Sequence, residues 1–161
     1  MYKVGDRIIY GTQGICEITD IKESKMTSVL REYYILSPVG NDKSVIYVPI
    51  DNEKLTSKMR EIPSQSELLI IIENARKELL LWDSSYIARS EFFSSILSDG
   101  EMSRVISLYL TLKSKSKEMS ALGKGLRNSD ERIFRECSRI LAREISYIMD
   151  IHIDEALDIL K

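Results

Sequence analysis

Four arginines, Arg132, Arg135, Arg139 and Arg143, recur at spacings of three and four residues toward the C-terminal end of the sequence. On a helix they share an arc of about 80° at roughly 100° per residue. The apolar set Ile133, Phe134, Cys137, Ile140, Leu141, Ile145 and Ile148 falls on the other side. Arg139 and Arg143 are a like-charge i,i+4 pair, which destabilises an isolated helix. A stripe that repels itself suits an anionic partner, so the chemistry on offer is phosphate contact. The competing reading is a solvated face, with Glu131 four residues before Arg135 and Glu136 three before Arg139. Lys113, Lys115, Lys117, Lys124 and Arg127 form a basic segment just ahead of the stripe.

Trp82, the single tryptophan, closes the apolar run Leu79-Leu80-Leu81-Trp82 and precedes the capping residues Asp83 and Ser84. It is either a core aromatic between two helices or an exposed wedge at a helix junction. A wedge of this kind can enter a minor groove and prise a base step open. With Arg89, Lys124, Arg127 and the four-arginine stripe, Trp82 makes up the candidate DNA-binding set.

The residue inventory argues against an enzyme. The one histidine, His152, lies between Ile151 and Ile153 just before Asp154, which reads as a junction residue. Gly123-Lys124-Gly125 is too short for a phosphate-cradling loop and lacks its G-x-x-x-x-G-K-[ST] frame. Cys16 and Cys137 match no metal or redox spacing and read as buried thiols of a cytosolic protein. No catalytic residue, metal site, cofactor or small-molecule substrate is expected.

The elements that must position these groups change period near residue 63. Asp6–Tyr10, residues 15–21, Arg31–Leu36 and Ser44–Pro49 read as strands, with turns at residues 11–14 and 39–42. Four or five short strands in about 50 residues suggest a small, strongly bent barrel. Beyond Pro63 the period becomes helical, with helices expected at about 66–80, 84–97, 101–121, 130–149 and 155–160. Ser64 or Ser66, Asp83 or Ser84, Asn128 and Asp154 are the candidate caps. The fold class is therefore α+β with two domains, residues 1–63 a small β-barrel and residues 64–161 all-α with about five helices.

The 161 residues carry a net charge of −2 and 43% hydrophobic side chains, enough to bury a core. Residues 104–143 hold ten Lys/Arg against four Asp/Glu, and both flanking segments are acidic. Local charge decides where a polyanion sits. No apolar run approaches the roughly 18 residues that a membrane helix needs. MYKVGDRIIY has no secretory signal pattern, so a cytoplasmic location is expected.

The order and spacing of several segments resemble the CarD/CdnL family of bacterial transcription regulators over nearly the whole chain. These are Val4–Tyr10, Gly14–Ile18, Glu32–Leu36, Val45–Pro49, Trp82-Asp83-Ser84-Ser85-Tyr86 and Ser129–Leu141. The first half also resembles the polymerase-interacting domain of transcription-repair coupling factor, but a helical second half replaces a helicase motor. The resemblance implies a Tudor-like N-terminal domain that binds the RNA polymerase β subunit, near Lys25, Met26 and Tyr47. It implies a helical domain on promoter DNA, with Trp82 as the wedge at the upstream edge of the open bubble. Ser84 and Ser85 stand where the family often has basic residues, and Asp130-Glu131 opens the last long helix, where Lys is common. With these departures the expected DNA contact is either weaker or moved to the Arg132–Arg143 stripe. A protein-only adaptor of polymerase, with its basic stripe on an acidic protein, is the alternative.

Overall fold

The computed structural model describes residues 1–41 and 43–161. Asp42, assigned to the loop over 39–42, lies outside the described residues. The chain divides into two compact units, Met1–Ile62 and Pro63–Lys161.

The first unit is one antiparallel sheet. Its strands are β1 (Arg7–Tyr10), β2 (Ile15–Ser24), β3 (Arg31–Pro38), β4 (Ile46–Pro49) and β5 (Met59–Arg60), and its short helix is α1 (Glu53–Thr56). The hydrogen-bonded order is β4-β3-β2-β1-β5. The expected barrel is thus an antiparallel sheet whose described pairing leaves β4 and β5 as edges. The β1–β2 turn depends on Gly14, at φ 79° and ψ −150°, a conformation open essentially to glycine alone.

One face buries Ile8, Tyr10, Cys16, Ile18, Tyr34, Leu36, Val48 and Met59. The pattern of β2 is only partly alternating because its register with β3 shifts between Ile18 and Asp20. The additional residue, Thr19, donates its hydroxyl to the Ile35 carbonyl (3.2 Å). This bulge puts Ile21 back against the same core as Ile18. β5 has two residues, too short to show a period.

The second unit holds α2 (Gln65–Lys77), α3 (Tyr86–Asp99), α4 (Met102–Ala121), α5 (Asn128–Met149) and α6 (Ile153–Ala156), then a 3-10 turn over Leu157–Leu160. The long helix α4 packs against α2, α3 and α5. Ser64 caps α2 in a full capping box with Glu67. The serine hydrogen bonds hold the Glu67 carboxyl below its ordinary pKa. Three caps differ from expectation. Ser85, not Asp83 or Ser84, caps α3. Arg127 occupies the position before α5 with no side-chain bond, so Asn128 lies inside the helix. His152 opens α6, its Nδ1 accepting from the Asp154 N–H (3.3 Å).

Helix α2 stops three residues short of the expected 80. Glu78 leaves helical geometry, and the Leu80 N–H donates instead to Thr111 Oγ1 on α4 (2.9 Å). Leu79, Leu80 and Leu81 are therefore a connecting segment. Leu81 is 90% exposed, which a core run would not allow. Burial pushes the thiols of Cys16 and Cys137 up to about 11 and about 12, so both stay protonated and unreactive at neutral pH. Among the described residues, no helix is long and apolar enough to cross a membrane and no cluster can hold a metal ion.

Candidate functional site

Trp82 sits in the α2–α3 connection, half-buried, and packs on the fully buried Phe93 of α3 with ring centroids 6.0 Å apart. It is neither a core aromatic nor a free surface ring. Beside it opens a groove of about 880 Å³ lined by Leu79–Trp82, Phe92 and Arg104. Exposed apolar surface at Leu79 and Leu81 thus flanks a partly open indole. Two cations lie over that indole: Arg89 Cζ at 4.2 Å from the ring centroid and Lys115 Nζ at 5.2 Å.

Arg89 requires a correction. Expected among the DNA contacts, it is only 5% exposed. Its Nε and Nη2 donate to Asp130 Oδ1 (3.0 Å) and Oδ2 (2.8 Å), and its Nη1 donates to the Asp83 carbonyl (2.6 Å). Three of its five N–H donors are engaged on protein oxygens, and a guanidinium buried to this extent does not lie on the surface that a phosphate reaches. Asp130 is the other surprise. It is 1% exposed, the buried partner of Arg89 rather than a solvated first-turn acid.

The arginine stripe lies where the period placed it. Arg132, Arg135, Arg139 and Arg143 are exposed, while Ile133, Cys137, Ile140, Leu141, Ile145 and Ile148 are buried. Phe134, grouped with the apolar set, is only half-buried, against Tyr109 (5.4 Å between centroids). Arg132, Arg135 and Arg139 border a groove of about 450 Å³ between α3 and α5, with Ser94, Leu97 and Ile133. Arg143 is not part of that groove lining.

The four arginines are not equivalent. Arg135 pairs with Glu131 (3.6 Å), and Arg139 grips Glu136 with two hydrogen bonds. The Arg139 hydrogen bond holds the Glu136 carboxyl below its ordinary range, and the same bond raises Arg139. Both partners are charged at neutral pH, so a phosphate approaching Arg139 competes with a resident carboxylate. Arg132 and Arg143 form no ion pair among the described residues.

Arg127 is exposed, its guanidinium 4.1 Å from the Tyr86 ring, and Lys124 is exposed in the α4–α5 connection. In the first unit the three polymerase-contact candidates do not converge. Lys25 and Met26 are exposed just past β2, at the tip of the β2–β3 hairpin. Tyr47 lies on edge strand β4, opposite Ile35 and edge-to-face with Tyr33 (6.2 Å). Ile35 in turn faces Asp20, five residues along β2 from Lys25, or roughly 17 Å at strand rise.

A family model for the CarD-like/TRCF RID domain matches residues 2–63. Comparison with curated proteins gives no match. The matched span coincides with the unit built on the β4-β3-β2-β1-β5 sheet. Residues 2–63, and with them the sheet unit, are thus similar to the CarD-like/TRCF RID domain.

Proposed function

We propose that the protein is a non-enzymatic, cytoplasmic transcription regulator that binds the β subunit of RNA polymerase and stabilises the promoter open complex. The observation that carries this reading is the polymerase-interacting domain match over residues 2–63. The sheet is then Tudor-like, and edge strand β4, with its unpaired backbone groups, is the surface on which a strand of the partner can add. The helical unit contacts promoter DNA at the upstream edge of the bubble through Trp82 and the basic face of α5. A ligand shifts an equilibrium only by its differential affinity. The protein accordingly favours opening by binding opened DNA better than closed DNA. Low sequence specificity is expected, since the exposed face of α5 presents four arginines along its length and a single amide, Asn128, at its first residue. Co-purification of polymerase β from bacterial lysate on the tagged full chain tests the reading; its absence would end it.

The first unit is expected to bind polymerase without the second. A fragment of residues 1–63, once circular dichroism shows a cooperative melt, should retain β-subunit binding within a few-fold of the full chain. A folded fragment that does not bind would overturn this division of labour.

The unpaired arginines are expected to dominate phosphate contact. Arg132→Ala with Arg143→Ala should weaken binding to forked DNA alike on all sequences. It should also flatten the log–log salt slope by about two, near one unit per lost contact. Glu136→Gln should strengthen binding by freeing Arg139. One observation favours the protein-only adaptor: Glu131 and Glu136 already occupy half of the stripe. An unchanged salt slope in the double variant would select that adaptor.

A further inference from the structure

We infer that Arg89 and Asp130 form a buried positioning pair that holds the Trp82 indole and the backbone beside it in the attitude needed for its DNA contact. The inference rests on the proposed role of Trp82 and explains how a half-exposed ring in a non-helical connection is held ready.

Three geometric facts carry it. The guanidinium lies 4.2 Å from the indole centroid, so one side of the ring is stacked on a planar cation. The same guanidinium donates through Nη1 to the Asp83 carbonyl at 2.6 Å, which ties down the Asp83–Ser84 peptide one residue beyond Trp82. Its remaining edge is clamped by both carboxylate oxygens of Asp130, at 3.0 and 2.8 Å, on the first turn of α5. One side chain of α3 thus ties the connection, the ring and the start of the helix that carries the arginine stripe into one rigid group.

A lysine could not replace it. An ammonium is a point charge on a flexible stem, whereas the guanidinium fork meets a carboxylate with two parallel bonds and stacks flat on an aromatic face. Lys115, 5.2 Å from the same centroid, illustrates the difference. Its Nζ pairs with Glu118, whose side chain is 62% exposed, so it adds attraction without fixing orientation.

Local turn chemistry supports the same geometry. The Ser85 N–H donates to Asp83 Oδ1 (2.8 Å), and the Ser85 hydroxyl then caps α3. These bonds shape residues 83–85 but do not touch the ring. The indole is therefore located by its packing on Phe93 and by Arg89. With Arg89 over the ring, the indole does not have both faces free, so it covers a base step rather than sandwiching itself between two bases.

Trp82 is the only tryptophan, so fluorescence of the free full-length protein reports on this indole alone. Arg89→Lys keeps the charge and loses the fork and the flat stack. It is expected to raise acrylamide quenching, lower steady-state anisotropy and shift the emission maximum. It should shorten open-complex lifetime on polymerase as far as Trp82→Ala does, and combining the two should add nothing, the mark of residues acting as a unit. Should Arg89→Lys not melt cooperatively, Arg89→Met with Asp130→Leu removes both charges together and leaves no orphaned ion. Unaltered fluorescence in a folded variant overturns the inference whether or not the protein binds DNA. So does altered fluorescence with a normal lifetime while Trp82→Ala shortens it. Failure of both variants to fold assigns the pair a purely structural role and overturns it as well. Altered fluorescence together with an unaltered Trp82→Ala lifetime supports the positioning pair and refutes the wedge.

Discussion

Asp130→Ala is expected to destabilise the helical unit by about 3–5 kcal/mol, the range found when one partner of a buried ion pair is removed. Asp130 and Arg89 are 1% and 5% exposed, so the substitution leaves a guanidinium in a site that water does not reach. Two charge-assisted hydrogen bonds disappear, and among the described residues no second carboxylate pairs with Arg89. For a unit the size of Pro63–Lys161 each kcal/mol shifts the melting midpoint by about 4–8 °C, so a drop of at least ~12 °C is expected. Emission from Trp82, which lies in that unit, follows its unfolding separately from the sheet. Arg89→Met with Asp130→Leu should cost far less, because replacing both members by apolar groups of similar volume is often neutral. A shift of only a few degrees for Asp130→Ala would mean that solvent reaches the pair and that the clamp on the α2–α3 connection is weak.

Much of the architecture was legible in the sequence because it is local. A cap at Ser64, one of the two serines expected there, is a local pattern that the structure contains and completes as a box with Glu67, whereas the cap expected at Asn128 is absent. The two faces of α5 follow from a period that 22 residues sample six times over. What was not legible depends on contacts between distant segments. Helix α2 ends early because Thr111, on another helix, takes the Leu80 N–H. Strand β5 is two residues and exists only through its pairing with Ile9 and Tyr10.

Arg89 was misplaced for a different reason. Charge suggested the surface, but its spacing did not. Arg89, Phe93 and Ile96 stand at i, i+4 and i+7 on one face of α3, and all three are buried. Asp130, Ile133 and Cys137 stand at i, i+3 and i+7 on the buried face of α5. Opposite charges that each continue an apolar stripe are the signature of a buried pair, and periodicity alone could have found it. Arg143 has no acid three or four residues away, which sets it apart from Arg135 and Arg139 in the sequence. Arg132 has Glu136 at i+4, and only rotamers decide that Glu136 closes on Arg139 instead.

Trp82→Ala is expected to shorten the lifetime of the promoter open complex by tenfold or more while leaving polymerase binding intact. An unstacked base step represents a few kcal/mol, and each ~1.4 kcal/mol of differential binding is a factor of ten. Recovering even half of one step would exceed that threshold. Polymerase binding should persist because the matched domain, residues 2–63, does not include Trp82. The stability cost should be intermediate. A fully buried aromatic truncated to alanine loses about 3–5 kcal/mol. Trp82 is half-buried, so it forfeits its packing on Phe93 and the two cations over its ring but little else. A loss of about 1–2 kcal/mol, less than that of Asp130→Ala, is expected on the scale of partial burial. The ordering of the two variants is therefore the discriminating measurement. Asp130→Ala should be the worse for melting. Trp82→Ala should be the worse for lifetime when the two are compared well below either midpoint. If Trp82→Ala melts as badly as Asp130→Ala, the indole serves the core. If it melts well and the open complex decays at the wild-type rate, the arginine stripe and the polymerase contact must account for whatever regulation the protein exerts, and the adaptor becomes the better description.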